Sequence, residues 1–472
     1  MFDAEVETRF QSLAQSTSPA FTRALRQLIL EGSDRDLNRV NVLTFAARYG
    51  VNEEDAITGF IYAVRAGLFD LSWNLLCPGC GGVLGANASL KSLHRDEYQC
   101  VICSVGYTPT LDEIVEASFS VNRRVRHIAG HEPESLPFWE YLRQFFWSSG
   151  LIMPEGEEFD QLASEIALDT VELSPGEKCQ ISLQLKPNHL LVFEPVTHTA
   201  LHLNVRGEPP EQRQDLSIVY TCDELQLPPR KLRPGPVRLT LENRTQQRLL
   251  PGIYIGGPSF KKMIAQRRPY LTAARLLTNQ AFRDIYRGDT LDVDQRLKLT
   301  SLSFLFTDLK GSTELYERVG DLQAFDLVRA HFSVLTDAVN AAHGAVVKTI
   351  GDAVMATFAA PERAVAAALQ MRAAMRELNA ARGREDLLVK IGIHEGSCLA
   401  VSLNDRLDYF GQTVNIAARV QGLADSQSIY VTEPVMQQAA VVQLLQEQQL
   451  IPQARRLPLR GLSDHFTVYE IP

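Results

Sequence analysis

Four of the seven cysteines fall into two close pairs, Cys77-Pro78-Gly79-Cys80 and Cys100-Val101-Ile102-Cys103. No other feature constrains the fold as tightly. Two CxxC turns separated by residues 81–99 can bring four thiolates around one tetrahedral Zn²⁺, which predicts a zinc ribbon over 76–110. Small turn residues let the backbone approach the sulfurs. A redox site would need one pair only, and a closed four-sulfur shell leaves no open coordination position, so this zinc is expected to be structural. His94, in the spacer, reads as a surface residue. Cys179, Cys222 and Cys398 stand alone; a reducing compartment disfavours disulfides, so paired cysteines there more often bind metal or do redox work.

A chain of 472 residues implies about three domains. At 45% hydrophobic and 22% charged it is of ordinary globular composition, which excludes wholesale disorder. Lys plus Arg total 47 against 56 Asp plus Glu, a net charge of −9, so nothing pulls the whole chain toward nucleic acid or anionic lipid. No window approaches the run of about 18 apolar residues of a membrane helix. The start, Met1-Phe2-Asp3-Ala4-Glu5-Val6-Glu7, is acidic where a secretory signal is basic. A cytoplasmic location without membrane partners is expected.

The predicted organisation is multidomain α+β. Residues 1–75 read as a helical, winged-helix-like unit. Val42–Arg48 is an apolar helix stopped at Tyr49-Gly50, Asn52 caps a second helix with Glu53, Glu54 and Asp55 in its first turn, and Leu68–Trp73 alternates like a strand. Glu53–Ala66 carries three acids and one base, the wrong sign for a helix entering a DNA groove. Packing or a protein partner is the expected role, and nucleic acid is not. A connecting helix is expected over 111–137. An aromatic stretch (Phe138, Trp139, Tyr141, Phe145, Phe146, Trp147) then opens a β-sandwich over 138–258, with strands Gln180–Leu185, His189–Phe193, Leu201–Val205, Leu216–Thr221 and Val237–Glu242. It holds no cluster of catalytic residue types, and a sensing module for an unidentified ligand or protein is expected. Residues 259–296, with Lys261, Lys262, Arg267, Arg268, Arg275, Arg283 and Arg287, read as a basic helical connector with a solvated face.

Residues 297–472 carry the chemistry. Ser303–Asp308 is an apolar strand ending in a carboxylate, followed by Leu309-Lys310-Gly311-Ser312-Thr313 and a helical pattern from Glu314. A helix N-terminus offers free N–H groups to phosphate, and the adjacent acid can hold the accompanying metal. Ala345–Phe358 reads as a hairpin folded at Gly351-Asp352, next to the strand of Asp308. Two carboxylates on neighbouring strand ends can share two divalent ions, the arrangement for in-line phosphoryl displacement. Asp408–Arg419 runs from a loop into a helix that puts Asn415 and Arg419 on one face.

Phe306-Thr307-Asp308 with Gly311-Ser312-Thr313, Lys348 through Asp352, and Gly411 through Arg419 resemble the catalytic domain of class III nucleotidyl cyclases. The resemblance implies a ferredoxin-like α/β sandwich acting as a head-to-tail homodimer with interfacial sites. It implies that Asp308, Asp352 and the Leu309 carbonyl hold two Mg²⁺ or Mn²⁺. It further implies that Lys348 and Asp408 read the purine, Asn415 orients the ribose and Arg419 stabilises the transition state. Leu309, Lys310, Gly311, Ser312 and Thr313 would hold the triphosphate. Arg460, before Gly461, stands where some relatives place a phosphate-binding Lys. A Lys donor with an Asp acceptor suits adenine rather than guanine, so ATP conversion to cyclic AMP in intracellular signalling is expected. The alternatives are a guanylate cyclase, or a nucleic-acid-binding regulator on an inactive cyclase scaffold. His394-Glu395-Gly396 also resembles a family strand end and is given only a structural role.

Overall fold

Five helices open the chain, Ala4–Ala14, Pro19–Glu31, Asp34–Leu37, Val42–Tyr49 and Glu53–Arg65, and their caps explain their ends. Asp3, Ser18, Ser33, Asn41 and Asn52 each accept a first-turn backbone N–H, satisfying donors the helix leaves unpaired. Gly50, in left-handed conformation at φ 64°, stops the fourth. The computed structural model describes residues 2–93, 97–147, 150–153, 158–221, 226–265, 267–286, 291–292, 295–383, 387–424, 428–459, 461 and 465–472, the side chains of 226–228, 265 and 313 excepted. The chain divides into two compact units. One comprises Met1–Ala88, Arg95–Pro109 and Glu116–Leu271, the other Ser89–His94, Thr110–Val115 and Thr272–Pro472.

In the first unit Phe21, Phe45, Phe60, Phe69 and Phe119 pack ring against ring, with centroids 5.0–5.7 Å apart. They join the helices to a three-stranded sheet ordered Val83–Asn87, Phe69–Leu76, Val115–Val121. That last strand corrects the connecting helix expected over 111–137, which holds this strand and two 3-10 turns and no α-helix. Val115–Val121 is buried along nearly its whole length, so it lacks the alternation that marks a half-exposed strand, while its β-branched residues suit one.

The aromatic stretch at 138–147 is helical, with Phe138–Tyr141 continuing into a π-helical turn, Leu142–Phe146. Strands begin only at Ala167 and run to Ile255, in sheets of three and five. One core takes side chains from both sheets, Ile181, Ile218 and Leu239 from the smaller and Leu190, Leu201 and Ile253 from the larger. The basic connector is three short helices, Pro258–Ala265, Ala273–Leu277 and Gln280–Ile285.

The second unit is built on one mixed sheet. Its elements are β1 (Leu297–Leu309), α1 (Ser312–Val319), α2 (Asp321–Ala341), β2 (Ala345–Ile350), β3 (Ala353–Phe358), α3 (Pro361–Ala381), β4 (Val389–Leu403), β5 (Arg406–Phe410), α4 (Gln412–Leu423), β6 (Ile429–Thr432), α5 (Glu433–Met436), α6 (Ala439–Glu447), β7 (Gln453–Pro458) and β8 (His465–Ile471). The strand order is β2-β3-β1-β4-β6-β8-β7, with β5 folded back on β4. Its first part, β1-α-β2-β3-α3-β4 in the order 2-3-1-4, is a ferredoxin-like arrangement. Alternation sends Leu305, Leu309, Val354, Ala356, Ile391 and Ile393 to one face, where Leu335 and Val339 of α2, Met371 of α3 and Leu445 of α6 cover them. On the opposite face α4 packs through Ile416 and Val420 on Tyr430. Gly392 permits this approach, because a Cβ there would sit 2.1 Å from the Gln421 nitrogen.

The central strand bulges between Leu299 and Leu302. Asp112 closes that bulge, accepting Thr300 N–H and Ser301 N–H at 2.9 Å and the Thr300 hydroxyl at 2.5 Å. Two backbone donors freed by the bulge thereby gain a carboxylate acceptor.

Candidate active site

β1 delivers Asp308 on the face opposite the α2/α3 layer, beside Lys390 of β4. The hairpin β2–β3 turns at Gly351, φ 62°, and carries Asp352 at its tip. Burial, and after it the charge of Asp352, push the Asp308 carboxyl above the usual aspartate range, with Lys390 opposing. Asp352 is thus near enough for its charge to act on Asp308. Asp352 Oδ2 is buried with no hydrogen-bond partner. A buried orphan carboxylate oxygen beside a second carboxylate is a donor set that fits a divalent cation, since oxygen ligands and net negative charge suit such ions.

Two neighbours of this pair were not legible in the sequence. His331 of α2 donates Nε2–H to the Asp352 carbonyl at 3.3 Å, and burial pushes it down to about 4, so the neutral imidazole supports the turn. Burial, then the charges of Asp352 and Asp308, raise the Tyr316 hydroxyl of α1. Both sit on helix faces that read in sequence as ordinary core.

Beyond Asp308, Gly311 takes a left-handed conformation at φ 68° and is the N-cap of α1. The helix thus starts at Ser312, two residues before the expected Glu314, because the left-handed cap completes the turn early. Ser312 and Thr313 contribute first-turn N–H groups, which have no intrahelical partner. Lys310 N–H is already committed to the Leu388 carbonyl at 2.9 Å.

Lys348 reaches its position through a one-residue bulge. Val346 pairs with Ala356, but Lys348 pairs with Met355, which also pairs with Phe306. Cross-strand partners share a face, so the bulge turns Lys348 from the helix-covered side to the side of Asp308. Bulges re-aim side chains in this way. There Lys348 Nζ forms an ion pair with Asp408 Oδ2, whose other oxygen accepts the Tyr409 N–H at 2.8 Å. The Asp is largely enclosed, while the Lys side chain is 40% exposed. Asn415 and Arg419 project from α4, Asn415 exposed and Arg419 half-buried. Arg419 lies against the Gly461 turn, with Nη2 3.5 Å from where a Cβ would stand. Arg460 lies outside the described residues.

The four paired cysteines form a second constellation in the first unit. Their Sγ atoms all lie within 4.8 Å of one another, with Cys77–Cys103 at 3.7 Å and Cys80–Cys100 at 3.6 Å. Four sulfurs about 2.3 Å from a central Zn²⁺ would be about 3.8 Å apart, so the cluster has the size of a tetrahedral sulfur shell. Backbone N–H groups of Cys80 and Cys103 point at Cys77 and Cys100 sulfurs at 3.4 Å each. Arg267, expected on a solvated face, instead donates to the Cys80 and Gly81 carbonyls. Gly81, at φ 59°, leaves it room. With nearly two hundred residues between them, no local pattern could have linked Arg267 to this turn.

Residues 295–470, which hold both the acid pair and the Lys348–Asp408 pair, match the adenylate and guanylate cyclase catalytic domain family. The second unit carries a class III nucleotidyl cyclase catalytic domain. Residues 3–284 match a family of unknown function (DUF5939), to which the chain belongs. An adenylate cyclase of Anabaena cylindrica is 28% identical over 185 residues, covering 36% of this chain and 36% of its own. Adenylate cyclase 2 of Rhizobium meliloti (strain 1021) is 34% identical over 132 residues, covering 25% of this chain and 36% of its own. The chain thus spans about a third of the length of these relatives. Among solved structures, the adenylyl cyclase CyaB from P. aeruginosa is similar at a TM-score of 0.33 and 22% identity, over 38% of this chain and 96% of that one. Among the described residues no helix of the cyclase or of the preceding region is long and apolar enough to cross a membrane.

Proposed function

We propose that this cyclase converts ATP to 3′,5′-cyclic AMP and pyrophosphate at sites shared between two copies of the chain. The observation that carries the reading is the Lys348–Asp408 pair. Adenine offers a ring-nitrogen acceptor and an N6 donor on its pairing edge, and guanine reverses that order. A lysine donor beside a carboxylate acceptor satisfies adenine and leaves guanine with opposed groups. Mismatches of this kind discriminate by about 10⁴ in favourable sites. The purine would enter by dividing the ion pair and taking one partner on each side.

Asp308, Asp352 and the Leu309 carbonyl would hold Mg²⁺ or Mn²⁺, which when bound lowers the pKa of the ribose 3′-hydroxyl and neutralises phosphate charge. With the Lys310 N–H taken by Leu388, the backbone N–H groups of Gly311, Ser312 and Thr313 would cradle the triphosphate at the start of α1. Asn415 would orient the ribose. The 3′-oxygen forms its bond to the α-phosphorus as the bond to the β-phosphate oxygen breaks, and the hydroxyl proton leaves to solvent. Arg419 would balance charge growing on the α-phosphate. Each chain carries every one of these residues, so two identical copies supply two complete sites. Zn²⁺ in the four-cysteine cluster would serve the fold alone.

The test is purified full-length protein with ATP or GTP and either metal, the cyclic product identified by mass spectrometry. Cyclic AMP is expected, and cyclic GTP-derived product in excess would overturn the reading. Lys348→Ala should lower the ATP:GTP ratio of kcat/KM by about tenfold or more, since it removes one side of the readout. Mixing inactive Asp308→Ala and Arg419→Ala proteins should restore activity; no recovery would count against shared sites.

A further inference from the structure

The helix Gln280–Ile285 ends the region matched by the family of unknown function and precedes the cyclase domain by about ten residues. It is bound to the cyclase sheet at two places. Gln280 Oε1 accepts the Val346 N–H at 2.8 Å. Arg283 Nη2 donates to the Leu407 carbonyl at 2.6 Å, and its guanidinium lies 5.8 Å from the centroid of the Tyr409 ring. Tyr409 in turn packs edge-on against Phe304 of the central strand, centroids 5.6 Å apart.

Neither attachment falls at random. Val346 is the residue at which β2 bulges to turn Lys348 across the sheet. Leu407 immediately precedes Asp408. Gln280 and Arg283, three apart, share one face of their helix, and that face bridges the two strands whose side chains meet as Lys348 and Asp408. A cleft of about 340 Å³ opens between the helix and those strands, lined by Gln280, Arg283, Tyr286, Lys348, Thr349 and Arg406. Both polar attachments lie beside this cleft.

We propose that Arg283, with Gln280, is a positioning residue that fixes the separation of Lys348 and Asp408 and so sets purine discrimination, making this helix the point where the region preceding the cyclase acts on the nucleotide site. The inference rests on the base-reading role given to Lys348 and Asp408. Neither Gln280 nor Arg283 touches the nucleotide in this account. Their effect passes through the two strands.

The test compares full-length Arg283→Ala, Arg283→Lys and Gln280→Ala with the unaltered protein, measuring kcat and KM for ATP and GTP and the melting temperature. Arg283→Ala should raise KM for ATP about tenfold and lower the ATP:GTP ratio of kcat/KM by about as much, with kcat for ATP changed by no more than about twofold. Arg283→Lys keeps one donor for the Leu407 carbonyl and should recover part of the ratio. Gln280→Ala, which removes the acceptor for the Val346 N–H and, on its own helix, the donor to Asp284 Oδ1 at 3.1 Å, should shift the ratio in the same direction and supplies the answer if Arg283→Ala does not fold. A fall in kcat and melting temperature together, with the ratio unchanged, would overturn the inference. Lys348→Ala separates its failure from that of the underlying reading. If Lys348→Ala shifts the ratio and the Arg283 and Gln280 variants do not, only the positioning role falls; if Lys348→Ala leaves the ratio intact, the base-reading assignment falls and the positioning role with it.

Discussion

The four-cysteine cluster and the Asp308–Asp352 pair each present donors that would suit a metal, and they differ in how complete they are. The sulfurs of Cys77, Cys80, Cys100 and Cys103 all lie within 4.8 Å of one another, with Cys77–Cys103 at 3.7 Å and Cys80–Cys100 at 3.6 Å, the size of a four-sulfur shell. Such a shell has nothing left to offer a substrate. The two aspartates supply a few oxygens, one of them buried without a partner, and leave other directions open. A finished shell would hold the chain together; an unfinished one would share its ion with a phosphate. The charge balance differs in the same sense. Burial first, and then the charge of Asp352, raise the Asp308 carboxyl, an unfavourable arrangement that a bound divalent cation would relieve.

The sharpest way to break the contrast is Asp352→Ala. If the pair is catalytic, turnover should fall by about 10³-fold or more, since metal stabilisation of the transition state is worth several kcal/mol and each 1.4 kcal/mol is a factor of ten. The melting temperature of the metal-free protein should hold or rise, because a repulsive partner is removed. A calorimetric scan beside the activity assay checks both, and undiminished turnover would end the metal assignment.

Cys77→Ser should do the reverse. Zinc content, measured by atomic emission, should drop from one per chain to none, and the melting transition should fall by roughly 10 °C, as loss of several kcal/mol of metal binding implies. Activity should decline only with the folded fraction. Asp112→Ala probes stability within the cyclase unit itself. Removing the acceptor of two backbone donors and a hydroxyl should cost about 3 kcal/mol, read in a urea titration. An unchanged midpoint would mean that the bulge at Thr300 and Ser301 stands without its carboxylate.

The smallest expected effect is on acid stability, and it should touch both units. Burial pushes His198 in the first unit, which packs edge-on against Phe146 and Phe193, and His394 in the second each down to about 4. Their ordinary value is near 6.5. A group depressed in the folded state gives stability that is full above the unfolded value and is lost as pH falls toward the folded one. Melting temperatures should therefore decline between pH 7 and pH 5, and flat melts across that window would contradict the burial of both rings.

Local features read well from sequence. Asn52 caps its helix, Gly50 and Gly351 stand at positive φ, and the expected strands of the β module lie within observed ones, except that Leu216–Thr221 stops at Tyr220. Each rests on chemistry within a few residues. The strand Val115–Val121 was missed because burial on both faces erased its period. The supports of the candidate site were missed for another reason. His331, Arg283 and Arg267 act on Asp352, Leu407 and Cys80, and sequence separation hides such contacts.

The sequence by itself determined which groups are present: four thiolates at metal spacing, two acids at strand ends, a lysine and an aspartate of complementary polarity. Those follow from residue type and short-range geometry. Only the tertiary structure decided which face each group occupies. A single extra residue in β2 turns Lys348 across the sheet to Asp408, and a strand's side-chain period of two makes any such insertion reverse everything after it.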